Sequence, residues 1–255
     1  MSVSDRSMHL KRLRILVLGA SVVLACSSCS KNEGTGGTAS ISGTIRNNYY
    51  NEDHSMLLLQ KPAVDEEVFI LYGEENVLGD RVFTGPEGTF RFNFLYPGSY
   101  YIYYKSDDPE SVIDEVGEIV VRVDLDRGED LDLGYLEKIT LLKYDDGSSV
   151  IKGSVRVINY VNGSTWPNLV IHDISYAMEQ EVYLTYNHKD FYEDRVRTQH
   201  NGYFEFSKLI PGEYEVFLYS DDVTRQTDRV VLKFEVTVED FDQEIDLGEI
   251  TIEKL

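Results

Sequence analysis

The sequence predicts an all-β protein made of two sandwiches in tandem. Three observations carry this. The stretch TFRFNFLYPGSYYIYYKSDD, Thr89 to Asp108, returns as YFEFSKLIPGEYEVFLYSDD, Tyr203 to Asp222, at an offset of 114 residues. That offset also pairs Glu67-Val68 with Glu181-Val182 and Asp80-Arg81-Val82 with Asp194-Arg195-Val196. It pairs Asp132-Leu133-Gly134 with Asp246-Leu247-Gly248 as well. One register held from Glu67 to Gly134 marks a duplicated unit. The third observation is composition: valine, isoleucine, tyrosine, phenylalanine and threonine, the strand formers, are plentiful, and no stretch after residue 30 has the spacing of a long amphipathic helix. A chain of 255 residues divides naturally into two domains of about 100 residues each. The expected division is a leader at 1–25, a tether at 26–38, a first domain at 39–142, a link at 143–149 and a second domain at 150–255.

The leader reads as a secretory signal. Lys11, Arg12 and Arg14 precede the apolar run Ile15 to Ala25, which is too short to span a bilayer, a task that takes about 20 residues. The segment Val23-Leu24-Ala25-Cys26 resembles the lipobox of bacterial lipoproteins, in which the cysteine becomes the lipidated first residue. The resemblance implies acylation at Cys26, with Cys29, preceded by Ser27-Ser28, as the alternative. These are the only two cysteines, so the domains contain no disulfide, thiolate metal ligand or thiol nucleophile. Residues 30–38, SKNEGTGGT, have the composition of a flexible tether. Acidic or lysine-containing tethers of this kind are similar to surface-export signals of some Gram-negative lipoproteins. The implied location is the outer membrane, lipid-anchored and surface-exposed.

Each repeat then follows one plan. A glycine-containing strand opens it, Ser40 to Ile45 and Val150 to Val155. An insertion follows, Asn47 to Asp65 and Asn162 to Met178. Strands are expected at Glu67 to Tyr72 and Glu181 to Tyr186, then at Arg81 to Thr84 and Arg195 to Thr198. Glu87-Gly88 and Asn201-Gly202 read as tight hairpin turns of type I′. Phe90 and Phe92, like Phe204 and Phe206, alternate with polar residues as a half-buried strand does. Pro97-Gly98 and Pro211-Gly212 read as type II turns, with glycine supplying positive φ. The strand after each turn buries Tyr100, Ile102 and Tyr104, or Tyr214, Val216 and Leu218, so Tyr101 and Tyr103 point outward. Ser106-Asp107-Asp108 and Ser220-Asp221-Asp222 are expected to turn the chain. The last strands run from Leu131 to Ile139 and from Ile245 to Ile252. Val121 and Val123 align with Phe234 and Val236 at an offset of 113, which implies a one-residue difference in the preceding loop. About seven short strands per repeat is the count of an Ig-like sandwich.

The residues Gly43, Thr84, Gly88, Phe90, Phe92, Leu95, Pro97, Gly98, Tyr100 and Asp132-Leu133-Gly134 recur as Gly153, Thr198, Gly202, Phe204, Phe206, Leu209, Pro211, Gly212, Tyr214 and Asp246-Leu247-Gly248. Over residues 40–255 this pattern resembles the carboxypeptidase regulatory-like domains, relatives of transthyretin-like (prealbumin-like) and Cna-B/SdrD-B sandwiches. The resemblance implies non-catalytic stalks, spacers, adhesin modules or appendages; fold alone does not choose among them. Some Cna-B relatives carry a Lys–Asn isopeptide bond. Lys152 sits in a first strand, but Ser42 replaces it in copy one and neither last strand offers an asparagine, so no such bond is expected.

Charge and motifs narrow the function. The chain carries −21, and its first 25 residues hold four bases and one acid, leaving −24 on the remainder. Such a surface repels nucleic acid, so no nucleic-acid partner is expected. His54, His172, His188 and His200 form no His-Glu-x-x-His pattern, and neither a Gly-x-Ser-x-Gly elbow nor a Walker loop is present, so the protein reads as non-enzymatic. Asp124, Asp126 and Asp130 are weak candidates for Ca²⁺, because oxygen ligands crowd one stretch, but they lack the EF-loop spacing. No other cofactor is expected. Trp166, the only tryptophan, and His172 lie in the second insertion and are the candidate ligand-binding residues. The expected role is a membrane-anchored spacer or protein-binding module, or alternatively a glycan-binding accessory that uses its aromatic loops. An exposed Trp166 favours binding and a buried one favours a spacer.

Overall fold

A computed structural model describes residues 33–73, 77–109 and 116–255; the leader and both candidate lipidation sites, Cys26 and Cys29, lie outside them. The described chain is all-β and forms two tandem sandwiches of eight strands each. In the first, β1 (Thr35–Asn51) is central. It pairs antiparallel with β5 (Thr89–Leu95) and β2 (Leu57–Pro62), and parallel with β8 (Asp130–Leu142). The second layer runs β4 (Val77–Phe83), β3 (Glu67–Tyr72), β6 (Gly98–Asp107), β7 (Val116–Leu125). The second sandwich repeats this plan. β9 (Ser149–Tyr160) carries β10 (Ile171–Tyr176), β13 (Tyr203–Leu209) and β16 (Glu244–Lys254). The facing layer is β12 (Asp194–Arg197), β11 (Glu181–Tyr186), β14 (Gly212–Asp221), β15 (Arg229–Val238).

Alternation fixes the two cores. Val68, Ile70, Tyr100, Ile102 and Tyr104 of one layer meet Ile41, Ile45, Phe90, Phe92 and Leu95 of the other. Val182, Leu184, Tyr214, Val216 and Leu218 meet Ile151, Val155, Phe204, Phe206 and Leu209 in the second copy. Burying one such side chain contributes about 1.5–3 kcal/mol. The 113-residue offset appears where Gly98 pairs with Leu125 and Gly212 with Val238.

Several sequence expectations are corrected. The insertions are not loops: each contains an edge strand, β2 or β10, so the sandwiches have eight strands rather than seven. Residues 35–38, expected in the tether, belong to β1, which begins at Thr35, and Gly34 donates its N–H to the Tyr100 hydroxyl at 3.1 Å. Glu87-Gly88 and Asn201-Gly202 are not two-residue hairpins. They connect strands of different layers, only the glycine has positive φ, and Gly88 N–H bonds Gly85 C=O while Gly85 N–H bonds Thr89 C=O. This three-residue loop closes with a glycine in the left-handed region. Pro97-Gly98 and Pro211-Gly212 are not type II turns either. Both glycines have φ of 154°, far from the ideal +80°, and each opens a strand.

Nor do Ser106-Asp107 and Ser220-Asp221 turn the chain. They end β6 and β14 and clamp the two layers together. Ser106 Oγ accepts from Ile139 N–H at 2.9 Å and Asp107 Oδ2 from Leu141 N–H at 2.8 Å. Ser220 and Asp221 hold Glu253 and Leu255 in the same way, each at 2.9 Å. The residue that does turn the chain is Asp222. Its carboxylate accepts from Thr224 N–H at 2.9 Å and Thr227 N–H at 2.8 Å. The Thr224 hydroxyl first, then the Thr227 amide, holds its pKa well below the usual carboxylate range.

Candidate functional site

The outer face of the β11–β14–β15 layer carries the candidate site. Strand alternation buries Val182, Leu184, Val216 and Leu218, and it turns Tyr183, Phe217 and Tyr219 the other way. Tyr183 and Phe217, paired across β11 and β14, stack at 5.0 Å with planes 10° apart. Tyr219 meets Tyr183 edge-on at 5.9 Å and Phe217 at 6.1 Å. Tyr183 is fixed from its other end, where its hydroxyl donates to Glu181 at 2.7 Å, and that bond raises its pKa. Such packing preorganises the rings, so a ligand would not have to order them.

The loop between β11 and β12 walls this face. Asn187 and His188 both take left-handed conformations, at φ of 53° and 56°, and Lys189 N–H closes the turn onto Tyr186 C=O at 3.3 Å. Asparagine and histidine are among the non-glycine residues enriched there. The loop thereby brings Phe191 and Tyr192 over the sheet, and Tyr192 reaches Tyr183 edge-on at 5.1 Å. The result is a groove of about 450 Å³ lined by four aromatic residues: Phe191, Tyr192, Phe217 and Tyr219. Its polar lining includes Glu215, which accepts from Lys233 at 3.0 Å, together with Thr185 and His188. His188 bonds Glu213 at 2.7 Å. Phe191 is 67% exposed and Tyr192 49%.

The first sandwich braces this loop from behind. Asn187 Nδ2 donates to Asp53 Oδ2 at 3.1 Å, and Lys189 Nζ lies 3.6 Å from Glu52 and 2.5 Å from Glu193. Asp53 and Glu52 belong to the turn between β1 and β2. Leu58, Leu142 and Tyr144 pack against the core of the second sandwich. The link at 143–149 is thus bonded in place: Tyr144 C=O accepts from Ile210 N–H at 3.1 Å and Gly147 N–H donates to Lys208 C=O at 2.7 Å. A partly exposed ion pair is worth roughly 0.5–1 kcal/mol, so Lys189→Met should speed amide exchange across residues 188–192 about two- to fivefold. Unchanged protection would show that the loop holds itself.

The sequence-derived candidates lie elsewhere. Trp166 is 60% exposed in the β9–β10 connection, and His172 sits exposed on β10 beside Asp173. Neither lines the groove, which belongs to the other layer. Tyr101 and Tyr103 do face away from the buried Tyr100, and Tyr103 stacks on Phe69 at 4.6 Å, matching Phe217 on Tyr183. Lys105 stands where the second copy has Tyr219. The calcium candidates do not converge. Asp124 accepts from Ser99 at 2.6 Å, whereas Asp130 is held by Ser40 and by Arg91 at 2.5 Å. Among the described residues, no group of three histidine, aspartate or glutamate side chains is placed to hold a metal ion. Lys152 pairs with Glu244.

No family model matches the sequence, and no curated protein matches it at a significant level. Similar solved structures include the Bacillus anthracis TIE protein, with 13% identity and a TM-score of 0.27; the match covers 84% of this chain and 35% of that one. A minor pilin of Streptococcus agalactiae has 12% identity and a TM-score of 0.25, with 85% and 96% covered. A candidate carbohydrate-binding protein from Bacteroides uniformis has 10% identity and a TM-score of 0.21, with 80% and 100% covered. At these levels no function transfers from them.

Proposed function

We propose that this chain is a non-enzymatic, lipid-anchored surface protein that binds a neutral saccharide in the aromatic groove of its second sandwich. The observation that carries the reading is the groove itself: four aromatic residues beside the Glu215–Lys233 pair and Thr185. A pyranose ring is apolar on its C–H faces and polar at its rim. Aromatic rings accept the faces, while mixed donors and acceptors satisfy the hydroxyls. The Cys26 lipobox supplies the anchor in this reading, and the absence of nucleophile and metal motifs in the sequence supports binding without turnover.

The test is calorimetry or glycan-array binding of the mature chain with neutral oligosaccharides. Tyr219→Ala and Phe217→Ala should each weaken binding tenfold or more, equivalent to about 1.4 kcal/mol. A mature chain that retains no neutral glycan, or groove variants that bind normally, would overturn the proposal.

A second reading, a protein-binding module, is favoured by the β9–β10 hairpin. Ile171, Ile174 and Tyr176 are about half exposed on the edge strand β10, and Trp166 is exposed in the connection that precedes it. Loss of binding in Trp166→Ala, with the groove variants unaffected, would select it.

A further inference from the structure

The two copies differ at one position in a way that frees a cation. In the second sandwich Arg156 on β9 is neutralised: its Nη1 lies 3.4 Å from Glu249 Oε1 on β16, and its guanidinium sits 5.9 Å from the Tyr176 ring. The register places Glu249 beside Ser154, and Tyr176 beside Arg156. In the first sandwich the same register places Tyr135 beside Thr44, and Pro62 beside Arg46. Tyr135 therefore stands where Glu249 stands. Arg46 has lost its carboxylate and lies over the Tyr135 ring at 3.5 Å. Lys61 occupies the place of Ser175 in the other copy. Neither Arg46 nor Lys61 forms an ion pair among the described residues, in a chain with 45 acidic and 24 basic side chains where partners are abundant.

Arg46, Lys61 and Tyr135 line one groove of about 440 Å³, together with Thr44, Thr89 and a single acid, Glu87. Tyr135 is 65% exposed. We infer that this groove is a binding site for a carboxylated monosaccharide, a hexuronate. A guanidinium held flat against a ring keeps its N–H edge free for a carboxylate, which it can grip with two parallel bonds. Lys61 adds a second positive charge. The threonine hydroxyls offer donors and acceptors for ring hydroxyls, and the volume suits one or two sugar units. The surrounding negative field acts against a long polyanion, and screening over about 8 Å leaves a single carboxylate free to approach. This site is separate from the groove of the second sandwich and does not depend on it.

The experiment is a nuclear magnetic resonance titration of the mature chain with D-glucuronate and D-galacturonate, with D-glucose and acetate as controls, at physiological ionic strength. The uronates should bind in the millimolar range and shift the amides of Thr44, Arg46 and Thr89. Glucose and acetate should act at least tenfold more weakly. Tyr135→Glu installs the residue type that the second copy already tolerates at Glu249. It should re-pair Arg46 and cut uronate affinity tenfold or more, while leaving the melting temperature and binding at the second groove intact. Phe217→Ala should leave uronate binding unchanged. Absence of uronate-dependent shifts at these amides would overturn the assignment. So would an equal response to acetate or glucose, or full affinity in Tyr135→Glu.

Discussion

Gly212→Val should destabilise the second sandwich by about 1–3 kcal/mol, enough to lower its melting temperature by several degrees for each kcal/mol lost. Two independent costs produce this. The backbone sits at φ of 154°, a region that side chains rarely enter. A Cβ there would also lie 2.5 Å from Tyr186 Cε2 and 2.9 Å from its hydroxyl oxygen. Tyr186 cannot step aside: it is 5% exposed and packs on Tyr214 at 5.0 Å. Gly98→Val in the first copy has the same φ but a softer neighbour. The group it meets is the Glu33 side chain, at 2.5 Å, which can swing away. Calorimetry on the two variants should therefore show the larger loss for Gly212. Equal losses would mean that backbone conformation alone, and not the Tyr186 contact, makes glycine necessary.

The duplicated sandwich was legible because burial repeats. Inward residues such as Ile70 and Leu184 recur at one offset, and a register error would turn them all to solvent. The extra strands β2 and β10 were not legible, because edge strands bury little: all six residues of β10 are exposed, so no alternation marks them. The Pro-Gly and Ser-Asp signatures were visible, but their purpose was not. Close approach to Tyr186 and bonds to the last strand are contacts between residues far apart in sequence. The groove was hidden for a related reason. Alternation in β14 turns Val216 and Leu218 inward and Phe217 and Tyr219 outward, but a groove forms only because the distant β11–β12 loop brings Phe191 and Tyr192 beside them, and no local pattern records that meeting. Trp166, the only tryptophan, is exposed as a binding residue would be, yet it lies on the other layer and does not line the groove.

Alkali should unfold the first sandwich through a tyrosine that the second copy lacks. Tyr104 is 1% exposed, and its hydroxyl donates to Glu137 C=O at 2.7 Å. Burial, with a smaller contribution from the Glu137 carboxylate, pushes its pKa up to about 12. The unfolded chain ionises near 10. Because the folded value is the higher, Tyr104 contributes its full stabilisation below pH 10 and loses it as pH rises towards 12. A shift of that size is worth about 2–3 kcal/mol. Burial raises Tyr100 as well, so the loss is compounded. Leu218 occupies the matching position in the second sandwich. Tyr104→Leu therefore places in the first core a residue its sister core already packs. At pH 8 the variant should be less stable than the parent, because it gives up the Glu137 bond and some volume. Above about pH 11 the order should reverse, since leucine has no proton to lose. Denaturant melts of the two chains across this range should give curves that cross. Parallel curves would show that Tyr104 ionises without unfolding the core, and that the alkaline limit lies with Tyr214, which burial and its neighbour Tyr186 also raise.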